Sequence, residues 1–189
     1  MENFIGEYKL KNQDTCDQLI TLYQNSDQKF AGIVGVDTLD PKMKQSTEII
    51  FQPFNLHEKN HCTRIYLDEL QLMLNQYVEK FPTCNMGAPF SIEENVKIQH
   101  YKPGEGYHVL HCERSSKEFP FAARHLVFMT YLNDVENEGG TEFPNQNIII
   151  KPQKGKTLIW PADWTYSHKG IVAPTEDKYI ITGWFDYTN

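Results

Sequence analysis

What the sequence lacks narrows its role first. No apolar run in the 189 residues approaches the ~20 needed to cross a bilayer. The opening stretch MENFIGEYKLKNQD carries no apolar signal-peptide core, so a cytoplasmic protein with no membrane partner is expected. Positive charge is scarce. Against 25 Asp and Glu there are 18 Lys and Arg, a net charge of −7. That balance argues against a nucleic-acid partner. The four cysteines, Cys16, Cys62, Cys84 and Cys112, include no C-x-x-C pair. Neither a zinc ribbon nor a disulfide scaffold is expected, and free thiols suit a reducing compartment. Internal repeats and low-complexity tracts are absent. The second half shows no βαβ alternation, which excludes a doubly wound α/β fold.

What is present describes one domain over residues 1–189, long enough to bury roughly 70% of its unfolded surface. The chain is 40% hydrophobic and 13% aromatic, a globular composition in which aromatics favour sheet. Residues 1–90 form a helical support. In NQDTCDQLITLYQ, Cys16, Leu19, Ile20 and Tyr23 recur at helical spacing, with Asn12 or Asp14 as the N-cap. A longer stripe of Tyr66, Leu70, Met73, Leu74, Tyr77 and Phe81 ends at Pro82. Residues 25–60 are polar and mixed, with short strands and a loop. From residue 91 the period becomes two. Val96, Ile98 and His100 share one face of NVKIQHY, and Lys97, Gln99 and Tyr101 the other. Further strands are read in YHVLHCE, HLVFMTYLN, TEF, NIIIKP, KTLIWP, YSHKGIV and KYIITGWFDY. Residues 91–189 therefore form the core. The fold class is α+β, mainly β: a jelly roll with the N-terminal helices packed on one sheet.

His111 and Glu113 stand two apart on a predicted strand, so an imidazole and a carboxylate point the same way. His168 from a distant strand would complete two nitrogens and one oxygen, which leaves open positions on an octahedral metal. By spacing alone an H-x-E pair describes a solvated or salt-bridged face more often, and ligand types do not separate iron from zinc. Lys178, Ile180, Thr182 and Trp184 share one parity of the last strand, while Tyr179, Ile181 and Phe185 share the other. A lysine turned into a barrel needs a counter-charge, and a bound dicarboxylate supplies one.

Residues 96–187 resemble the catalytic core of the Fe(II)/2-oxoglutarate-dependent dioxygenases, in the prolyl 4-hydroxylase-like branch and its compact bacterial and phage forms. The resemblance rests on YKPGEGYHVLHCE, RHLVFMTYLNDVENEGGTEFP, KPQKGKTLIWPADWTYSHKGIV and KYIITGWF. It implies a double-stranded β-helix of the cupin-like type, with His111, Glu113 and His168 as iron ligands. It implies that Lys178, Tyr101, Tyr131 and Thr182 hold 2-oxoglutarate, and that Arg124 and Trp184 contact substrate. The implied cofactors are Fe(II), 2-oxoglutarate and O2, with ascorbate as a reductant. The implied reaction couples oxidative decarboxylation of 2-oxoglutarate to C–H hydroxylation of a prolyl residue in a peptide or protein. A free amino acid or other small molecule is the alternative substrate, and a metal-free binding module the alternative of another class. Oligomeric state, monomer or dimer, stays open. One departure stands out: the family pattern is H-x-D, and this chain has Glu113.

Weaker features have bland readings. His57, His61 and Cys62 sit in a polar loop before the second helix, with spacing better suited to a helix face. Gly139-Gly140 suggests a tight turn rather than a phosphate cradle, since no helix follows. Trp160 and Trp164 offer either a stacking platform or loop packing. Arg114 offers either a grip on an acidic substrate group or a surface ion pair.

Overall fold

The computed structural model describes residues 3–35, 38–53 and 61–188. The chain opens with β1 (Gly6–Lys9), α1 (Asp14–Asn25), β2 (Phe30–Ala31), β3 (Thr47–Phe51) and α2 (His61–Lys80). It continues through β4 (Phe90–Ser91), β5 (Val96–Tyr101), β6 (Arg124–Tyr131), β7 (Thr141–Phe143) and β8 (Ile148–Ile150). It closes with β9 (Lys156–Pro161), β10 (Lys169–Gly170) and β11 (Lys178–Tyr187). The larger sheet runs β1-β9-β6-β11-β5-β3-β2 with β4 also beside β11, and β10-β7-β8 form the smaller one. Both sheets are antiparallel, which gives the expected α+β jelly roll with helical backing.

Strand alternation divides the interior into two cores. Leu126, Phe128, Ile181, Phe185, Val96 and Ile98 face the helices and pack on Leu19, Tyr23, Tyr66, Leu70, Met73 and Tyr77. Val127, Met129, Tyr131, Trp160 and Trp184 face the other way, with Phe143 and Ile150 of the smaller sheet. The helices thus stiffen one face of the large sheet while the opposite face is left for a cavity. Among the described residues, no helix is long and apolar enough to cross a membrane.

Several local expectations need correction. The helical support also contains a strand before its first helix. GEYK forms β1 and pairs with β9 in the register Lys9 to Lys156. Helix α1 starts at Asp14, so Asp14 belongs to its first turn, and Asn12 Oδ1 accepts from the Asp14 N–H at 3.1 Å. His61 and Cys62 open α2 rather than sitting in a loop, because the buried stripe extends back to Thr63; His57 lies outside the described residues. The segment YHVLHCE is not a strand, since only Tyr107 and His111 make bridges, to Lys44 and His168. YSHKGIV yields only the two residues of β10. Gly139 has φ of +71°, and a Cβ there would lie 2.8 Å from Val135 Cγ1, so a tight turn requires glycine at this position.

Candidate active site

A short backbone bridge builds the centre of the site. The His111 N–H donates to the His168 carbonyl at 3.0 Å, and the His168 N–H returns to the His111 carbonyl at 2.8 Å. This pairing places the two rings side by side, with centroids 4.4 Å apart. Two residues on, the Glu113 N–H donates to the Ala162 carbonyl at 3.2 Å, which turns its carboxylate to the same side. Ligating atoms of His111, Glu113 and His168 all lie within 4.8 Å of one another.

The tautomers follow from the acceptors. His111 Nδ1 lies 2.9 Å from the Val109 carbonyl, and His168 Nδ1 lies 3.1 Å from the Tyr166 carbonyl. A carbonyl only accepts, so each Nδ1 carries hydrogen and each neutral ring presents an Nε2 lone pair. Those Nε2 atoms stand 3.4 and 3.5 Å from Glu113 Oε1. Burial raises the Glu113 pKa, and protonated His111 and His168 donating to it would hold it well below the usual carboxylate range; with both rings neutral, a cation has to supply that stabilisation instead. Burial pushes His168 below the ordinary imidazole value and keeps it neutral. Two nitrogen lone pairs and an anionic oxygen therefore converge on one point with no hydrogen between them. A cation answers that arrangement, and the donor set suits iron(II).

The second carboxylate oxygen is held separately. Trp184 Nε1 donates to Glu113 Oε2 at 3.0 Å, and Arg124 NH1 lies 3.4 Å away. Arg124 also forms a paired contact with Glu94 at 2.6 and 2.8 Å. Its guanidinium is 3.6 Å from the Trp184 ring centroid and 4.6 Å from that of Phe121. Arg124 and Trp184 line the cavity and at the same time orient Glu113. Arg114 is committed to Asp163, with NH2 2.7 Å from each carboxylate oxygen and Nε 3.1 Å from Oδ1. This is the ion-pair reading, not a grip on substrate.

The His111–Glu113–His168 cluster opens into a cavity of about 500 Å³. Lys178, Ile180, Thr182 and Trp184 of β11, and Lys97, Gln99 and Tyr101 of β5, line one wall, as strand parity required. Lys178 is 4% exposed, and among the described residues its ammonium donates only to the Gly139 and Ile171 carbonyls, at 3.1 and 3.2 Å. Among the described residues it has no carboxylate partner. Burial pushes its pKa down to about 8. An amine that resists its own charge in this setting fits an anionic occupant, which restores the ammonium. Tyr101 lies beside it, with Lys178 Nζ 5.0 Å from the ring centroid. The Tyr101 hydroxyl donates to Gln99 Oε1 at 2.8 Å, so it must turn to donate to a ligand. Tyr131 OH contacts Thr141 Oγ1 at 2.6 Å, and Thr182 Oγ1 donates to the Phe128 carbonyl at 2.9 Å. All nine sequence-derived site residues line this one cavity. Reading from sequence missed the roles of Glu94 and Gln99. Gln99 shares strand parity with Tyr101, which was a usable signal, whereas Glu94 lies in the segment before β5 and carried none.

Trp160 is packed behind His168, with ring centroids 5.1 Å apart, and Trp164 is 71% exposed, so the two do not form a stacking platform.

Comparison with known proteins gives a consistent picture. Residues 96–186 match the family described as the 2OG-Fe(II) oxygenase superfamily. A protein of Acanthamoeba polyphaga mimivirus, assigned as a prolyl 4-hydroxylase, is 30% identical over 113 residues. That match spans 52% of this chain and 47% of the relative, about half the length of each. Among solved structures, the viral collagen prolyl hydroxylase of Paramecium bursaria Chlorella virus-1 superposes with a TM-score of 0.70 at 22% identity, covering 98% of this chain and 97% of that one. A Pseudomonas putida prolyl-4-hydroxylase gives 0.71 at 17% identity over 97% and 93%. A Trichoplax adhaerens prolyl hydroxylase, solved with a hypoxia-inducible-factor peptide, gives 0.77 at 17% identity over 98% and 84%. At these identities the structures establish the shared fold.

Proposed function

We propose that this chain, whose residues 96–186 match the 2OG-Fe(II) oxygenase superfamily, is an Fe(II)- and 2-oxoglutarate-dependent hydroxylase acting on prolyl residues of a peptide or protein. The observation that carries this reading is the convergence of His111 Nε2, His168 Nε2 and Glu113 Oε1 beside a cavity that also holds a buried ammonium with no carboxylate partner among the described residues. Prolyl specificity is supported by the mimivirus relative and by the three hydroxylase folds.

His111, Glu113 and His168 would hold the metal, and Lys178 would hold the far carboxylate of 2-oxoglutarate. When bound, the iron, 2-oxoglutarate and O2 supply the oxidative decarboxylation that drives C–H hydroxylation. The residues of the chain contribute placement and exclusion. Backbone acceptors fix both imidazoles in the tautomer a metal needs. Trp184 and Arg124 hold the second oxygen of Glu113, so the carboxylate cannot swing. Burial raises the Tyr101 pKa well above its ordinary value, so the hydroxyl keeps its proton and can donate beside Lys178. Met129, Trp160 and Ile180 line the cavity and keep water from the reacting centre.

The test is succinate release from iron-loaded protein with 2-oxoglutarate, O2 and ascorbate, with hydroxyproline followed in a proline-rich peptide. Succinate from wild type and none from His111→Ala supports the reading. Equal background from both would leave a binding module.

A further inference from the structure

The cavity is lined by more cations than the proposed metal and co-substrate explain. Lys44, Lys97, Arg124 and Lys178 all reach it. Two of them are already neutralised. Lys44 Nζ lies 2.5 Å from Glu48 Oε1, and Arg124 pairs with Glu94 and Glu113. Lys178 faces the proposed co-substrate site. Lys97 is left.

Lys97 sits on β5 opposite Thr182 of β11 on one side and Ile50 of β3 on the other. Its ammonium lies 5.5 Å from the Trp184 ring centroid. Among the described residues it makes no ion pair and no hydrogen bond. Glu48 and Glu113 are near enough to influence it, yet neither pairs with it, and burial lowers its pKa. On β11, Thr182 is four residues from Lys178, about 13 Å at ~3.3 Å per residue. The two ammonium-bearing strand positions are thus widely separated. Lys97 belongs to the Trp184–Arg124 end of the cavity. A partly buried ammonium with only an indole beside it is an incomplete site, and a carboxylate completes it with a charge-assisted hydrogen bond.

We propose that Lys97 is a specificity-determining residue that binds a carboxylate of the substrate close to the hydroxylated position. Two sources present this chemistry: an acidic side chain beside the target proline, and the free carboxylate of a C-terminal proline. The proposal rests on the hydroxylase reading for the nature of the substrate but not for the charge it carries.

The experiment measures fluorescence anisotropy of labelled peptides with a single proline on the full chain. One set carries Glu, Gln or Lys beside an internal proline, with an amidated C-terminus. Another has neutral flanks and ends in proline, either free or amidated. A carboxylate probe from at least one set is expected to bind about tenfold or more tightly than its uncharged twin. The set that discriminates identifies the source. The preference should vanish in Lys97→Met, persist in Lys97→Arg, and turn toward the Lys probe in Lys97→Glu. Melting curves check that each variant is folded, and the wild-type comparison needs no variant. Equal or undetectable binding of charged and uncharged probes by wild type overturns the proposal. So does a carboxylate preference that survives Lys97→Met. A variant that raises the 2-oxoglutarate requirement and leaves peptide discrimination intact also overturns it, by assigning Lys97 to the co-substrate. Succinate release, followed in the same preparations, reports on the hydroxylase reading separately. Its absence alongside intact discrimination would remove the activity and keep the carboxylate site.

Discussion

Trp184 Nε1 donates to Glu113 Oε2 at 3.0 Å, while the other carboxylate oxygen faces both histidines. This division gives the two oxygens of Glu113 separate partners, at the position where the resemblance implied an aspartate. The longer side chain lets one oxygen reach the imidazoles and the other reach an indole on β11. Removing the indole donor loosens the carboxylate without removing it. Trp184→Phe should weaken Mn(II) or Fe(II) binding by about 10- to 100-fold, the usual cost of losing a partner that orients a ligand. Glu113→Asp should fall between wild type and Glu113→Ala, because a shorter arm cannot satisfy both sides. Calorimetric metal titration checks both. Equal metal loss in Glu113→Asp and Glu113→Ala would remove Glu113 from the ligand set.

The buried Lys178 predicts two opposite pH trends. Its pKa in the fold is about 8, below the ordinary 10.5, because burial disfavours the charge. The groups facing it are the Tyr101 ring and the Gly139 and Ile171 carbonyls, with no carboxylate among the described residues. Between pH 8 and 10.5 the unfolded chain binds more protons here than the folded one, so stability rises with pH through that window. The full effect is roughly 3 kcal/mol. Lys178→Met should therefore be more stable than wild type at pH 7, with the difference shrinking above about pH 8. With Lys178 as the proposed partner of 2-oxoglutarate, wild-type affinity for it should decline over the same range and be lost in Lys178→Met. Denaturant melts and 2-oxoglutarate titrations across pH read the two trends.

Much of this site is legible in the sequence because strand parity is a rigid rule. Side chains two apart on β11 have to share a face, so the alternation alone groups Lys178, Thr182 and Trp184. The same rule groups Lys97 and Gln99 with Tyr101. It also succeeds at His111 and Glu113, for a different reason than expected. Their segment lacks a ladder, and a single bridge to His168 supplies the alignment. What local pattern does not show are contacts between distant segments. GEYK is too short to announce itself as β1, since its partner strand lies at Lys156–Pro161. Glu94 acquires its role only when β6 brings Arg124 to it.

Asp186 offers a test of stability away from the reacting centre. It is 2% exposed on β11, and burial together with the Glu94 carboxylate raises its pKa to about 6, against the pull of Arg124 and the Glu93 and Glu94 backbone. Between the ordinary value of 3.8 and about 6, the folded state binds more protons than the unfolded one, so this residue makes stability fall as pH rises. Asp186→Asn should relieve the cost at pH 7, by about 1 to 3 kcal/mol, and give little change below pH 4. Parallel urea melts at the two pH values check it. A variant less stable than wild type at pH 7 would mean that the carboxylate is structurally required.

The Arg114–Asp163 pair joins the segment carrying His111 and Glu113 to the turn that leads into His168. Its contacts are short, at 2.7 Å, but the side chains are 28% and 44% exposed. Solvent screening limits such a pair to roughly 0.5–1 kcal/mol of stability. Its larger effect should fall on metal binding, because the two linked segments carry the three proposed ligands. Asp163→Asn should lower metal affinity by about threefold to tenfold at low salt, with a small loss of melting temperature. At 1 M salt the screening length is about 3 Å, and wild type and variant should converge. Metal titrations at low and high salt measure this directly. A deficit that persists unchanged at high salt would assign the effect to packing of the Asp163 turn rather than to its charge.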